Sequence, residues 1–335
     1  MTHIPYLKQA PLTLALTLAG TVASADPSCA PHVFSLDLEG KEVTLAADIC
    51  GLDTAPAPAL VQVLLHGGAY DRRYWNPPYD DPRYSYVHAA TQRGYVTVNL
   101  DRLGYGASTR PDGNTLTFEL GAKAVSAVVD QIAAGKLGEA RAIVLNGHSM
   151  GGIVGEIVAA TNPNVSALIV SGLANTPEGF DEGDGDGDAG GPPAGANPFL
   201  PATQDARFAG QPWAEGYMTT APNLRPMIFH APGTIEAPLA ALEEELRDTI
   251  AKAELRAVMS GGTDRPAFSG PSVYYLGQFD RIACEGQDCA ERFVGTDWHI
   301  IVPNAGHSLN LSKAAPVFFE ATFDWLATNG LAPAL

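Results

Sequence analysis

Six nearly continuous apolar runs set the strongest constraint on this chain. Leu60–Leu65, Tyr95–Leu100, Ala142–Asn146, Val165–Val170, Val273–Leu276 and Trp298–Val302 alternate too little to be strands with one wet face. Strands of that kind are covered on both faces by helices, as in parallel sheets. Helix-like segments fall between them, at Tyr84–Arg93, Leu116–Ala134, Gly151–Ala160 and Ala314–Thr328. Ahead of the series, Val33–Leu38 and Glu42–Ile49 alternate apolar and polar residues around Glu39-Gly40, which is the pattern of a hairpin. The expected fold class is therefore α/β, a doubly wound, mostly parallel sheet with an antiparallel start. With 335 residues, 46% of them apolar, the chain can bury a core of that size.

The alternation breaks between about Asn175 and Pro271. That stretch opens on a Gly/Asp-rich segment, 181–193, and later contains a charged segment, Leu239–Met259, expected as one helix. It holds too few apolar runs for a sheet of its own and reads as a cap inserted after the sixth strand. The first 25 residues read as a secretory signal: Lys8, an apolar stretch Leu12–Val22, and Ala23-Ser24-Ala25 as the cleavage site. The expected organisation is a signal at 1–25, a core in two parts at 26–174 and 272–335, and a cap or lid at 175–271. The expected location is secreted or periplasmic.

Charge narrows the partners. The net charge is −17; without Lys8 it would be −18. Such a field repels nucleic acid and anionic membrane surfaces, so neither is expected as a partner. No stretch after the signal approaches the length of a membrane span, so stable insertion is not expected. Four cysteines in an exported chain suggest disulfides, with local pairing of Cys29 with Cys50 and of Cys284 with Cys289.

The chemistry centres on Gly147-His148-Ser149-Met150-Gly151, a G-x-S-x-G run between an apolar strand and a helix. A serine on such a turn stands beside helix N–H groups able to hold a developing oxyanion. Its base candidate is His307, in a loop directly after the last strand. Its orienting acid candidate is Asp280, directly after the strand Val273–Leu276, with Asp264, Asp297 and Asp181 as rivals. The order Ser149, Asp280, His307 is one this chemistry uses. The competing histidines have weaker contexts: His299 lies within a strand, His148 is expected to point away at the elbow, and His230 has no matching motif. The oxyanion pair is expected from the backbone N–H groups of Met150 and Gly68, with Ala69 as the alternative to Gly68.

Together, the His66-Gly67 loop with Trp75, the Asp101–Ser108 loop and the Gly147–Gly152 elbow resemble the α/β-hydrolase superfamily, in its secreted serine esterase and lipase-like branch. With the Asp280 and His307 loops, the resemblance covers Leu60–Val170 and Val273–Leu326. The Asp101–Ser108 loop is similar to the D-x-x-G-x-G-x-S turn of the branch holding esterases, lactonases, haloperoxidases and epoxide hydrolases. Serine at the elbow departs from epoxide hydrolases and haloalkane dehalogenases, which carry aspartate there. The elbow G-H-S-M-G also departs from the G-D-S-A-G of hormone-sensitive-lipase-like esterases, and the long cap departs from lidless cutinases.

The expectation is a serine hydrolase acting on a small-molecule or polymeric carboxylic ester through an acyl-enzyme. Lactone, polyester or amide hydrolysis are the alternatives within the class, and a non-catalytic binding protein of the same fold is the alternative outside it. Tyr70, Trp75, Trp213, Tyr217 and Met218, with Phe199, Phe208 and Phe229, are candidates to line the substrate pocket. No cofactor is expected. Asp184, Asp186 and Asp188 alternate with glycine as calcium loops do, but lack the later acidic ligand, so they are only weak calcium candidates.

Overall fold

A computed structural model describes residues 28–174, 197–260, 263–284, 287–293 and 299–334. The expected signal segment and Asp184, Asp186 and Asp188 lie outside the described residues, as do Trp298, Asp181 and Asp297. Among the described residues no helix is long and apolar enough to cross a membrane.

The strands of the main sheet are β1 (Cys29–Leu38), β2 (Lys41–Cys50), β3 (Ala59–Leu65), β4 (Val96–Leu100), β5 (Ala140–His148), β6 (Val165–Ser171), β10 (Ser272–Gly277) and β11 (Ile300–Val302), numbered with the three strands between β6 and β10 given below. They lie in the order β1-β2-β4-β3-β5-β6-β10-β11. β1 and β2 form the expected hairpin, β2 runs antiparallel to β4, and every later pairing is parallel. The four helices packed with this sheet, α1 (Tyr86–Thr91), α2 (Phe118–Ala133), α3 (Met150–Thr161) and α8 (Ala315–Thr328), fall within a few residues of the expected segments. β3 and β4 are buried along nearly their whole lengths, as a sheet covered on both faces requires.

The site follows from strand order. The chain leaves β3 for β4 on one side and later returns to place β5 on the other, so the loops after β3 and β5 emerge side by side, where Leu65 pairs with Gly147. Open α/β sheets bind ligands at such a reversal, beyond the carboxyl ends of the strands.

The segment between β6 and β10 differs from expectation in two respects. It has a small antiparallel sheet of its own, from β7 (Phe199–Pro201), β8 (Tyr217–Thr220) and β9 (Thr249–Ala251). Strands of three or four residues are too short to register as apolar runs. The stretch expected as one helix over Leu239–Met259 is two, α5 (Ala237–Glu245) and α6 (Lys252–Met259), separated by β9. The break occurs because this stretch pairs with the loop after β3: Asp248 N donates to Ala69 O at 3.1 Å, and Ala69 N to Thr249 O at 3.2 Å. Two short helices, α4 (Arg225–Phe229) and α7 (Cys289–Arg292), complete the elements.

Two disulfides join Cys29 to Cys50, across the ends of the β1–β2 hairpin, and Cys284 to Cys289, beside the loop after β10.

Candidate active site

Ser149 sits between β5 and α3 with φ 52° and ψ −122°. A non-glycine residue there costs of order 1–3 kcal/mol and persists only where its surroundings over-determine it. They do so by close approach. A Cβ on Gly151 would lie 2.3 Å from Leu65 O and 2.5 Å from His66 O, and one on Gly147 would lie 2.5 Å from Gly151 O. The glycines let the elbow press against the end of β3. Ser149 O accepts from Gly152 N at 2.7 Å and Ile153 N at 3.3 Å, and the Met150 N–H, the first of α3, has no intrahelical partner.

His307 and Asp280 are brought together from the loops after β11 and β10. His307 Nδ1 is 3.0 Å from both Asp280 carboxylate oxygens, and both side chains are at most 2% exposed. An ionised carboxylate only accepts, so Nδ1 carries the proton and Nε2 is left as the basic nitrogen. Asp280 Oδ1 also accepts from Ile282 N at 3.0 Å and Ala283 N at 2.9 Å. The neighbouring disulfide braces this turn, with Cys284 N on Asp280 O and Cys289 N on Gln278 O. Of the rival carboxylates, Asp264 is exposed.

His148 departs from expectation. Its ring lies 4.8 Å from that of His307 and stacks on Tyr74 at 4.5 Å, so it packs beside His307. Burial, and then the proximity of His307, hold it well below the ordinary imidazole range, so it stays neutral.

In the loop after β3, Gly68 borders the same cavity as Ser149, whereas the Ala69 N–H is already given to Thr249 O. That removes Ala69 as the alternative donor. His66 shapes the start of this loop: its Nε2 accepts from Arg102 N at 3.1 Å, and its Nδ1 lies 2.8 Å from Gly67 O. Burial, and then the charge of Arg102, hold His66 well below the usual imidazole range, so it serves as a neutral pin. Arg102 also donates to His66 O at 2.9 Å and pairs with the fully buried Glu254 of α6, which Tyr105 contacts as well. In the same Asp101–Ser108 loop, burial and then the nearby Asp71 raise Asp101 to about 6.

Ser149 and Met150 open onto a cavity of about 490 Å³. Its walls are largely apolar, including Ile153, Leu173, Phe199, Phe229, Ile250 and Leu255, with Arg265 and Arg281 also lining it. Phe199 and Phe229 are thus placed as the sequence suggested. Tyr70, Trp75, Phe208, Trp213, Tyr217 and Met218 are not among the residues that line it. Tyr70 is buried with its hydroxyl between Glu243 and Ser308. Trp75 is wholly enclosed against Tyr74 and Tyr86. Tyr217 gives its hydroxyl to Pro111 O at 2.9 Å, Trp213 packs on Arg110, and Met218 lies in β8 paired with Ile250. Residue type suggested these positions, but each is packed or hydrogen-bonded elsewhere. Sequence reasoning also missed a buried cluster of Glu243, Arg225 and His230, since no local motif marks these residues.

A sequence model of the alpha/beta hydrolase family matches residues 62–321. The chain belongs to the α/β-hydrolase family. Its fold agrees with solved structures of other members at low identity. A serine hydrolase involved in carbazole degradation is 16% identical at a TM-score of 0.54, with 89% of this chain and 100% of that one covered. A methylesterase from Arabidopsis is 12% identical at 0.54, covering 81% and 100%. A putative lipase from Acinetobacter baumannii is 14% identical at 0.52, covering 90% and 92%. No curated protein matches the sequence.

Proposed function

We propose that this α/β hydrolase is an exported serine esterase acting on carboxylic esters that carry a sizeable apolar group. The observation that carries the reading is Ser149 on its strained elbow, opening onto a large apolar cavity, with His307 paired to Asp280 and its ring 4.8 Å from that of His148, the residue before Ser149. Ser149 attacks the ester carbonyl and His307 Nε2 takes its proton, while Asp280 holds the imidazole and balances its charge. The N–H groups of Met150 and Gly68 receive the oxyanion. The alcohol leaves with the proton from His307, and water then releases the acid by the same steps in reverse.

Cavity size and rim support the substrate class. A cavity of about 150 Å³ holds benzene, so 490 Å³ suits an acyl or alcohol group several times larger. Among the described residues, three of the seven exposed large apolar side chains, Val258, Met259 and Ile282, sit at this one cavity. The signal-like start and the two disulfides support export.

A fluorophosphonate probe tests the nucleophile. Wild-type protein should label and Ser149→Ala should not, and Ser149→Ala and His307→Ala should each lower ester turnover by on the order of 10⁴–10⁶-fold. Unlabelled wild type, or full labelling of Ser149→Ala, would end the proposal. In a p-nitrophenyl ester series, kcat/KM should rise with acyl length at up to about 0.8 kcal/mol per methylene. A flat series would reject the apolar acyl site.

A further inference from the structure

We infer that Glu243 is a positioning residue for this reaction, its one buried carboxylate tying the oxyanion loop to the loop that bears His307. The inference rests on the esterase reading and adds a role for the cap within it. Glu243 lies on α5 and its side chain is 2% exposed. Three donors reach it, two from α4 and its C-terminal cap and one from the loop after β3. Arg225 Nη2 donates to Oε1 at 3.1 Å, His230 Nε2 lies 2.8 Å from Oε2, and the Tyr70 hydroxyl donates to Oε1.

The far ends of these contacts adjoin the reacting groups. Tyr70 O lies 2.7 Å from Ser308 Oγ. The carboxylate can only accept, and a phenol has one proton, so the order is fixed: Ser308 donates to Tyr70, and Tyr70 to Glu243. Ser308 is the residue after His307, and its N–H donates to Phe229 O at 3.0 Å, while the Phe229 ring stacks on His307 at 5.9 Å. On the other side, Arg225 Nη1 donates to Ala69 O at 3.0 Å, and its guanidinium lies 4.3 Å from the centre of the Tyr70 ring. The Ala69 carbonyl is thereby held one residue from Gly68, the proposed oxyanion donor.

Burying a carboxylate is costly, and these contacts offset that cost only while all are made. Burial alone would raise the carboxyl, yet His230 and Arg225 outweigh it and hold Glu243 at about 2, so the hub stays ionised at any working pH. If Glu243 is lost, Tyr70 and Arg225 lose the acceptor that orients them, and the Tyr70–Ser308 contact between the oxyanion loop and the His307 loop loses its anchor. Misplacement of reacting groups by about 1 Å can cost around 10²-fold in rate.

Tyr70→Phe, Ser308→Ala, their double variant and Glu243→Gln test the hub. Tyr70→Phe removes only a hydroxyl, which keeps the test open if Glu243 variants fail to fold. Expected are kcat losses of about 10- to 100-fold for Tyr70→Phe and Glu243→Gln, with KM within about twofold and a parallel fall in fluorophosphonate labelling rate. The double variant should lose no more than Tyr70→Phe alone, because both groups act through one chain. Glu243→Gln should keep more activity than Glu243→Ala. Wild-type kcat in folded Tyr70→Phe, a loss confined to KM, or fully additive single losses would overturn the role of Glu243. Failure of wild type to label would instead overturn the esterase reading.

Discussion

At the scale of single residues, the elbow leaves almost no freedom. Gly151 meets two carbonyl oxygens of the β3 end, both backbone, so neither can swing aside. Gly151→Ala should therefore destabilise the fold by about 1–3 kcal/mol or more, read as a lowered denaturation midpoint. A midpoint equal to wild type would mean the elbow is looser than these contacts imply. Cavity residues should instead shift specificity. Leu255→Trp adds bulk to the cavity wall; a clash of about 1–3 kcal/mol corresponds to roughly 5- to 150-fold in kcat/KM for the longest esters, with acetate esters spared. Trp213→Ala should leave that length profile unchanged, because Trp213 packs on Arg110 away from the cavity. The contrast shows what sequence could reveal. Ser149, Asp280 and His307 were legible because each follows a strand of one sheet, so position along the chain implied position in space. Tyr70, Trp75 and Trp213 carry no such information, since an aromatic side chain serves a pocket or a seam equally well.

At the scale of elements, the two disulfides should separate stability from activity. Cys29–Cys50 clips the edge hairpin, away from Ser149, whereas Cys284–Cys289 braces the turn that presents Asp280. Replacing Cys29 and Cys50 with serine should cost about 2–4 kcal/mol of stability and leave kcat near wild type. Replacing Cys284 and Cys289 should lower kcat even where the protein remains folded. Equal effects on kcat from both pairs would contradict this division. The main sheet and its helices were legible element by element, because continuous apolar runs have few other uses. The segment between β6 and β10 was not: β7, β8 and β9 are too short to leave a pattern, and β9 interrupts a helical stretch because of hydrogen bonds to Ala69, a residue far away in sequence. Its buried contacts are likewise long-range. Glu254 meets Arg102 and Tyr105, and Glu243 meets Tyr70, so neither acid reads as more than surface charge on its own helix.

At the scale of the whole molecule, buried titrating groups set how stability responds to acid. Burial, joined by the charge of Arg102, holds His66 well below its ordinary value; burial and the nearby His307 do the same for His148; burial and then Arg265 hold His299 at about 4. In the unfolded chain these imidazoles titrate near about 6.5, so below that pH the unfolded chain binds protons the fold excludes. Their contribution is complete above about 6.5 and is lost as pH falls toward the folded values. Asp101 acts in the opposite sense. Burial, with Asp71, raises it to about 6, so its contribution is lost as pH rises through 6 and regained toward 4. Three histidines against one aspartate decide the direction. Between pH 7 and 5 most carboxylates stay ionised, so the self-repulsion of a chain at −17 changes little and does not mask the effect. The melting temperature should fall steadily from pH 7 to pH 5. His148→Gln, which deletes one of the excluded protons, should reduce that slope while lowering the starting value. A melting temperature that is constant or rising toward pH 5 would mean these imidazoles accept protons within the fold, and would remove the neutral pin assigned to His66.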